Sequence, residues 1–240
     1  MVSDNPRDYA VQRMFDRIAR RYDLLNRVIS VRLDTWWRNQ AIRTVLGGDH
    51  PLILDLGTGT GDLTFAAAKA LHGNGRIIGL DFSPHMLRVA QEKKLCAAHG
   101  DKTHFVLGSA LLSPFQDAVF DGVMTAFVLR NVSDLSLFFE HAFRVLKSGG
   151  KFVSLDMFPP SQGWFSVLYG LYFYRLVPWL GKLLAHDASA YKYLSESVRQ
   201  FHSPGHIADV LRESGFERVA VRRFLKGAVC MHVGEKSTNP

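Results

Sequence analysis

Leu52-Ile53-Leu54-Asp55-Leu56, apolar but for one acid, runs directly into Gly57-Thr58-Gly59-Thr60-Gly61-Asp62, and a helical pattern follows from Leu63 to Leu71. An apolar run that ends in a glycine-rich turn before a helix is how a buried parallel strand feeds a nucleotide-binding loop. Glycine lets the backbone turn sharply and approach a ligand that a side chain would push away. Asp55 stands at the end of the strand beside that loop, where a carboxylate can meet a ligand's hydroxyl or ammonium group.

The spacing narrows the ligand. A dinucleotide loop has G-x-G-x-x-G, and counting from Gly57 puts Asp62 in the third glycine's place. A phosphate-cradling P-loop needs a closing Gly-Lys-Ser/Thr, which is absent. The pattern present, D-x-G-x-G-x-G, resembles the cofactor loop of S-adenosylmethionine-dependent methyltransferases. Such a cofactor has no pyrophosphate, but it has a sulfonium cation, an amino acid end and a ribose diol. On that resemblance Asp55, Gly57, Gly59 and Thr60 are cofactor-binding candidates. The competing reading is a glycine-rich turn that holds nothing.

Beyond the loop, strand and helix alternate. Arg76 to Asp81 reads as a second strand ending in an acid, twenty positions after Gly61 (81 − 61). An acid at that strand tip is placed to accept both ribose hydroxyls of a nucleoside, and Phe82 beside it can lie against an adenine. Ser83 and Pro84 open a helix to about Ala98. Thr103 to Leu107 is a third strand, with Gly108-Ser109-Ala110 at its tip, so Ser109 and Ala110 are placed to read the adenine edge. Ala118 to Thr125 is a fourth strand, Asp134 to Lys147 a helix closed by Ser148-Gly149-Gly150, and Lys151 to Asp156 a fifth strand. Pro204 to Ser214 reads as a helix, and Phe216 to Phe224 with Val229 to Val233 as a hairpin. Repeated strand–helix units predict an α/β chain with a parallel sheet and helices on both faces. The resemblance makes this a class I methyltransferase fold: a mostly parallel seven-stranded sheet, an antiparallel edge strand, and a helical insertion after strand five.

The 240 residues suit one domain, 1–240. Residues 1–48 are expected to form an N-terminal helical lid. Tyr9 to Ser30 places Val11, Met14, Phe15, Ile18, Tyr22, Leu25 and Ile29 at helical spacing, with five arginines around them. Trp36 and Trp37 come next, as core or pocket wall. Residues 158–199 are expected to be a helical insertion, either plain helices on the sheet edge or an apolar cap that admits a greasy substrate. Its run Trp164 to Tyr174 is aromatic and uncharged, and shorter than the roughly 20 apolar residues of a membrane span. Arg175, Pro178 and Lys182 then break a stretch that would otherwise stay apolar. The net charge of +7 fits contact with nucleic acid or an anionic membrane. Cys96 and Cys230 form no metal or disulfide pattern, so no metal is expected. The polar start, Met1 to Asp8, has no apolar signal core, and a cytoplasmic location is the expectation.

Further motifs point to a narrower family. Tyr22-Asp23-Leu24-Leu25-Asn26-Arg27-Val28-Ile29-Ser30 with Trp37, Leu129-Arg130-Asn131-Val132, and Arg144 to Gly150 resemble the C-methyltransferases of menaquinone and ubiquinone biosynthesis. Tyr193 to Arg199, Gly215-Phe216 and Gly227-Ala228-Val229 match the same family, so the resemblance covers nearly the whole chain. It implies methylation of a ring carbon of a prenylated quinol, in the first place demethylmenaquinol and alternatively a ubiquinone precursor. It also implies S-adenosyl-L-methionine as cofactor and leaves a homodimer open. A prenylated quinol is nearly insoluble in water, so the aromatic insertion and the basic N-terminal helix are expected to make reversible contact with an anionic membrane surface, with Arg17, Arg20, Arg21, Arg175 and Lys182 on its headgroups. The chain departs from the pattern. Asp34 stands for His, Asp156 for Glu, Phe158 for Ser, Ser148 for Pro, Leu25 for Met, Ser109 for Asn, and Ala126-Phe127-Val128 for Ser-Phe-Gly. Alanine at 126 removes a hydroxyl expected near the sulfonium.

A quinol carbon becomes nucleophilic when a neighbouring hydroxyl loses its proton, which calls for a base or for a cation that holds the phenolate. The catalytic candidates are Arg130, Asn131 and Tyr22, with His186, Asp187 and His202 behind them. Arg130 serves as a fixed positive charge and not as a proton acceptor. The rival classes are a basic nucleic-acid-binding methyltransferase-like protein and a non-catalytic scaffold. Against the first stands the lack of an Asn-Pro-Pro-Tyr motif, so no nucleic-acid partner is expected. Against the second stand Asp55, the three loop glycines and Asp81.

Overall fold

The computed structural model describes residues 5–160, 164–173 and 188–238. Seven strands form one sheet, β1 Leu52–Leu56, β2 Arg76–Asp81, β3 Thr103–Leu107, β4 Phe120–Ala126, β5 Leu146–Met157, β6 Glu217–Phe224 and β7 Val229–Glu235, in the order β3-β2-β1-β4-β5-β7-β6. β1 pairs in parallel with β2 and β4, while β7 runs antiparallel between β5 and β6. The short link of residues 225–228, which includes the 3-10 turn Leu225–Gly227, allows that hairpin and no crossover. The order reverses at β1, so β2 and β4 diverge to either side and leave a crevice beyond its carboxyl end. Ligands bind in open α/β sheets at that place.

Alternation along the strands sends side chains to two cores. Leu54 and Leu56 pack with Phe120, Phe138, Phe139 and Phe152 on one face. Ile53 packs with Trp37, Ile42, Leu63 and Met124 on the other. The helices covering these faces are α3 Leu33–Val45, α4 Asp62–Ala70, α5 Pro84–Cys96, α6 Leu135–Val145 and α9 Pro204–Glu213. Helix starts follow capping chemistry. Ser83, Asp134 and Ser203 each accept a backbone N–H from the first turn of α5, α6 and α9, satisfying donors that the helix itself leaves unpaired.

Two boundaries differ from expectation. The N-terminal helix is broken into α1 Pro6–Ile18, a 3-10 turn Ala19–Arg21, and α2 Tyr22–Ile29. The break aims the two halves differently. α1 buries Val11 and Met14 and packs on α5, while α2 reaches the glycine loop; the five arginines stay exposed. β5 begins at Leu146 instead of Lys151, because the glycines read as a helix stop are laddered to the C-terminal strand: Gly149 N donates to Lys236 O and Lys236 N to Gly150 O, both at 2.9 Å.

The insertion supplies α7 Trp164–Leu171 and α8 Ala188–Arg199. Phe173 and Val198 are fully buried beside Ile29, Tyr169, Tyr172 and Leu194. Arg175, Pro178, Lys182, His186 and Asp187 lie outside the described residues.

Candidate active site

The crevice at the end of β1 gathers eight of the eleven sequence candidates. Tyr22, Asp55, Gly57, Gly59, Thr60, Asp81, Phe82 and Asn131 line one cleft. Ser109 and Ala110 line an adjoining cavity that shares Gly57, Asp81, Phe82, Val128 and Asn131 with it. Arg130 faces a different cavity.

The glycine loop is held by backbone bonds that side chains would obstruct. Gly57 N and Thr58 N donate to Leu80 O at 2.8 and 3.0 Å, and Gly59 N donates to Asp81 Oδ2 at 2.7 Å. Gly57, Gly59 and Gly61 all have positive φ, of 72°, 57° and 85°. A Cβ on Gly57 would meet Val128 Cγ2 at 2.6 Å, whereas one on Gly59 would find only Tyr22 Cε1 at 3.9 Å. The space beside Gly59 is therefore the cradle that a side chain would fill. Val128, where the family resemblance has glycine, fills the space Gly57 leaves.

The two acids are anchored differently. Asp55 Oδ2 accepts the hydroxyls of Thr58 and Thr64 at 2.9 and 2.7 Å, while its buried Oδ1 has no partner among the described residues. An orphaned carboxylate oxygen at a ligand cleft fits an ammonium group. Asp81 holds Gly59 N through Oδ2 and Ser83 N through Oδ1, so it shapes the loop and has further acceptor capacity for hydroxyls. Burial pushes both acids up from 3.8 to about 6, against the hydrogen bonds that lower them.

Thr60 and Ser109 have local duties. Thr60 Oγ1 donates to Asp23 on α2, and Ser109 Oγ accepts Leu111 N at 3.2 Å. Asp23 also pairs with Lys93, Gln12 Nε2 donates to Phe82 O at 2.7 Å, and Ser83 Oγ donates to Asp16. α1 and α2 are thus tied across the cleft by polar bonds that solvent can replace.

A second cavity, of about 310 Å³, lies behind the cleft. Ile29, Trp37, Met157, Tyr172, Phe173 and Leu194 make much of its apolar wall, and Arg130, Asp34, Asn26 and Ser30 are among its polar points. Trp37 is thus both buried and pocket wall, whereas Trp36 is half exposed with its edge to Phe224. A smaller cavity lined by Tyr22, Asn26, Arg130 and Asn131 joins cleft and chamber. Phe127 walls both, at φ 64°, with the guanidinium carbons of Arg38 and Arg130 at 5.3 and 6.0 Å from its ring centre. A non-glycine residue held left-handed costs on the order of 1–3 kcal/mol, and such strain concentrates at functional sites.

Arg130 is buried, and its Nη1 donates to the fully buried Asp156 at 2.6 Å. Burial is the largest single influence and works to lower its pKa, but the charge and hydrogen bond of Asp156, with smaller contributions from Tyr22 and Tyr193, together turn the net direction upward. Its Nε has no partner among the described residues. Asn131 Oδ1 accepts the Tyr193 hydroxyl at 3.1 Å. Tyr22 stacks edge-on against Phe15, 5.9 Å away, and faces both cleft and joining cavity. His202 sits exposed beside His206 in a polar groove that shares Arg130 with the chamber, and His202 itself lines neither cleft nor chamber. Sequence reading did not place Asn26, Asp34, Phe127 or Asp156 in the site, although all four stand in the family motifs or among the departures from them; their roles appear only when α2, α3, the turn after β4 and the end of β5 pack together. Among the described residues no cluster of three or more His, Cys, Asp or Glu side chains could hold a metal ion.

The model of the ubiE/COQ5 methyltransferase family matches residues 2–236. The chain is similar to the demethylmenaquinone methyltransferase of Deinococcus radiodurans, 40% identical over 227 residues, covering 95% of this chain and 92% of that one. It is also similar to the demethylmenaquinone methyltransferases of Lactiplantibacillus plantarum, 38% identical over 94% of this chain and 95% of the other, and of Thermus thermophilus, 39% identical over 93% and 100%. Among solved structures, a SAM-dependent methyltransferase from Thermotoga maritima superposes with a TM-score of 0.66 at 19% identity, covering 94% of this chain and 99% of that one. Phosphoethanolamine N-methyltransferase 2 of Haemonchus contortus, solved with S-adenosyl-L-methionine, does so at 0.62 and 17%, covering 84% and 53%. These structural likenesses establish the fold.

Proposed function

Because the chain belongs to the ubiE/COQ5 methyltransferase family, we propose that it methylates a ring carbon of demethylmenaquinol with S-adenosyl-L-methionine. The observation that carries the reading is a cofactor cleft joined through a small cavity to an apolar chamber with a buried cation on its wall. A polar or nucleic-acid substrate has no use for that chamber, whereas a quinol with a hydrocarbon tail does. Incubation with the cofactor and either demethylmenaquinol or a ubiquinone precursor tests it. The first should be methylated on carbon much faster; methylation of the second alone would replace the substrate named here.

The cofactor, when bound, supplies an electrophilic methyl group. The chain supplies position and electrostatics. Asp55 Oδ1 takes the ammonium end, the open backbone at Gly59 admits the body of the ligand, and Asp81 takes the ribose, with Phe82, Ser109 and Ala110 around the adenine. Arg130 holds the ring oxygen as negative charge develops, with Asn131 and Tyr22 at the junction between the two ligands. α1 and α2, tied over the cleft, act as its lid.

Affinity for the cofactor should fall in acid. In the empty protein Asp55 and Asp81 keep their protons up to about pH 6, above the ordinary 3.8. Their protonated forms support the fold fully below that ordinary value, and this support is lost as pH rises through 6. A cationic ligand reverses the preference, since it favours the ionised acids. Affinity should therefore be level above pH 7 and weaken below 6, by up to about tenfold per pH unit for each acid. Calorimetry from pH 5 to 8 measures it; a flat profile would separate these acids from the ligand.

A prenylated quinol must be taken from a bilayer, and contact with an anionic membrane follows. Among the described residues no helix is long and apolar enough to cross one. Supporting a surface contact, Val31, Leu33 and Leu225 line the chamber and are exposed, and Trp164 is 68% exposed. Arg17, Arg20 and Arg21 face solvent. Arg175 and Lys182 were expected to add headgroup contacts, each worth about 1 kcal/mol near such a surface, and lie outside the described residues. Binding to anionic vesicles in sedimentation should exceed binding to neutral ones and fall with salt. Equal, negligible binding under all conditions would leave the insertion as core.

A further inference from the structure

We propose that Asp34 is the base that takes the proton from the quinol's ring hydroxyl, a role that rests on the quinol being the substrate. Methyl transfer to carbon needs that proton to leave, and Arg130, a cation, cannot take it. Among the described residues lining the chamber and the joining cavity, Asp34 is the only carboxylate. It is 4% exposed, in the first turn of α3, and its Oδ1 accepts the Ser30 hydroxyl at 2.6 Å. Its Oδ2 is 3.6 Å from Arg38 Nε, beyond hydrogen-bond length, so that oxygen has a balancing charge and no proton donor of its own there. Arg38, one helical turn on, lines the cofactor cleft. α3 therefore presents the acid to the chamber and its counter-charge to the cofactor side.

The donors around it complete the arrangement. Arg130 Nε and Asn26 Nδ2 are buried, line the same chamber, and have no partner among the described residues. Unpaired buried donors are costly and are accounted for by a ligand acceptor. A quinol ring oxygen is such an acceptor. Two donors and one anionic acceptor on an apolar wall match a hydroxyl that gives up its proton and keeps the negative charge.

Protons and electron pairs balance through the step. The hydroxyl proton passes to Asp34 Oδ2, and the ring carbon beside it bonds to the methyl while the carbon–sulfur pair stays on sulfur. The ring C–H proton then moves to the carbonyl oxygen, which restores the aromatic hydroxyl. Asp34 releases one proton to solvent.

Asp34→Asn tests this with the full chain, S-adenosylmethionine and a short-tailed demethylmenaquinol. Single-turnover methyl transfer should fall about 100-fold or more, with cofactor affinity within twofold of wild type. Quinols made more acidic by electron-withdrawing ring substituents should recover the variant more than they accelerate wild type, which a packing role would not produce. Without cofactor, quenching of Trp37 fluorescence should show wild type preferring a naphthol over its methyl ether about tenfold or more, and Asp34→Leu losing that preference. Should Asp34→Asn melt below the assay temperature, Asp34→Glu must keep at least a tenth of the rate that Asp34→Gln loses. Wild-type rates in Asp34→Asn, or one equal loss across quinols of every acidity, would overturn the role of Asp34. No methylation by wild type itself would overturn the quinol reading, and Asp34 with it.

Discussion

Gly59→Val is expected to abolish binding of S-adenosylmethionine while the protein stays folded. Gly59 has φ 57°, where a β-branched residue is strained by roughly 1–2 kcal/mol. Spread over a chain of this size, that strain lowers the melting temperature by only about 2–8 °C. The side chain has room, since the nearest atom to a Cβ is Tyr22 Cε1 at 3.9 Å. That room is the cleft itself, so valine's methyl groups take the place of the ligand. A loss of at least 100-fold in affinity, roughly 2.7 kcal/mol, is the expected calorimetric result. Gly57→Val would behave differently: its Cβ strikes Val128 Cγ2 at 2.6 Å, so fold and site suffer together. Affinity within threefold of wild type in Gly59→Val would remove this loop from the cofactor site.

The loop was legible because its information is local. An apolar strand, alternate glycines and an acid at each of two strand tips are neighbours in sequence, and backbone geometry alone converts that order into a crevice. The second role of Asp81 was not legible. It holds Gly59 N from 22 positions away, and only the register of β1 on β2 brings the two together. The same limit applies to Arg130 and Asp156, 26 positions apart on different elements. The chamber combines α2, α3, the end of β5 and the insertion, so its hydrophobic residues read as ordinary core until the packing is known. Ordinary periodicity also hid the break at Ala19–Arg21, since the apolar spacing continues across it while the backbone tightens into a 3-10 turn. The insertion's aromatic run told of a greasy environment, and the described part of it supplies chamber wall through Tyr169, Tyr172 and Phe173.

Asp156→Ala is expected to destabilise the protein by about 3–5 kcal/mol, the cost of leaving one partner of a buried ion pair uncompensated. Asp156 is fully buried, accepts Arg130 Nη1 at 2.6 Å and Arg130 N at 3.3 Å, and also accepts Met157 N at 2.7 Å. Nothing else among the described residues forms an ion pair with the Arg130 guanidinium. Arg130→Met should cost a similar amount for the converse reason, since it strands the carboxylate. The double variant Arg130→Met with Asp156→Leu separates structure from chemistry. With both charges gone and the volume kept, the desolvation penalty disappears, and denaturant unfolding should recover most of the lost stability. Methyl transfer should not recover, because the cation that holds the developing phenolate is absent. An active double variant would make the pair a packing device and move phenolate stabilisation to Asn26 or Tyr22. A stable and inactive one would assign the pair two separable duties, in which Asp156 keeps Arg130 charged inside the protein and Arg130 turns that charge on the substrate.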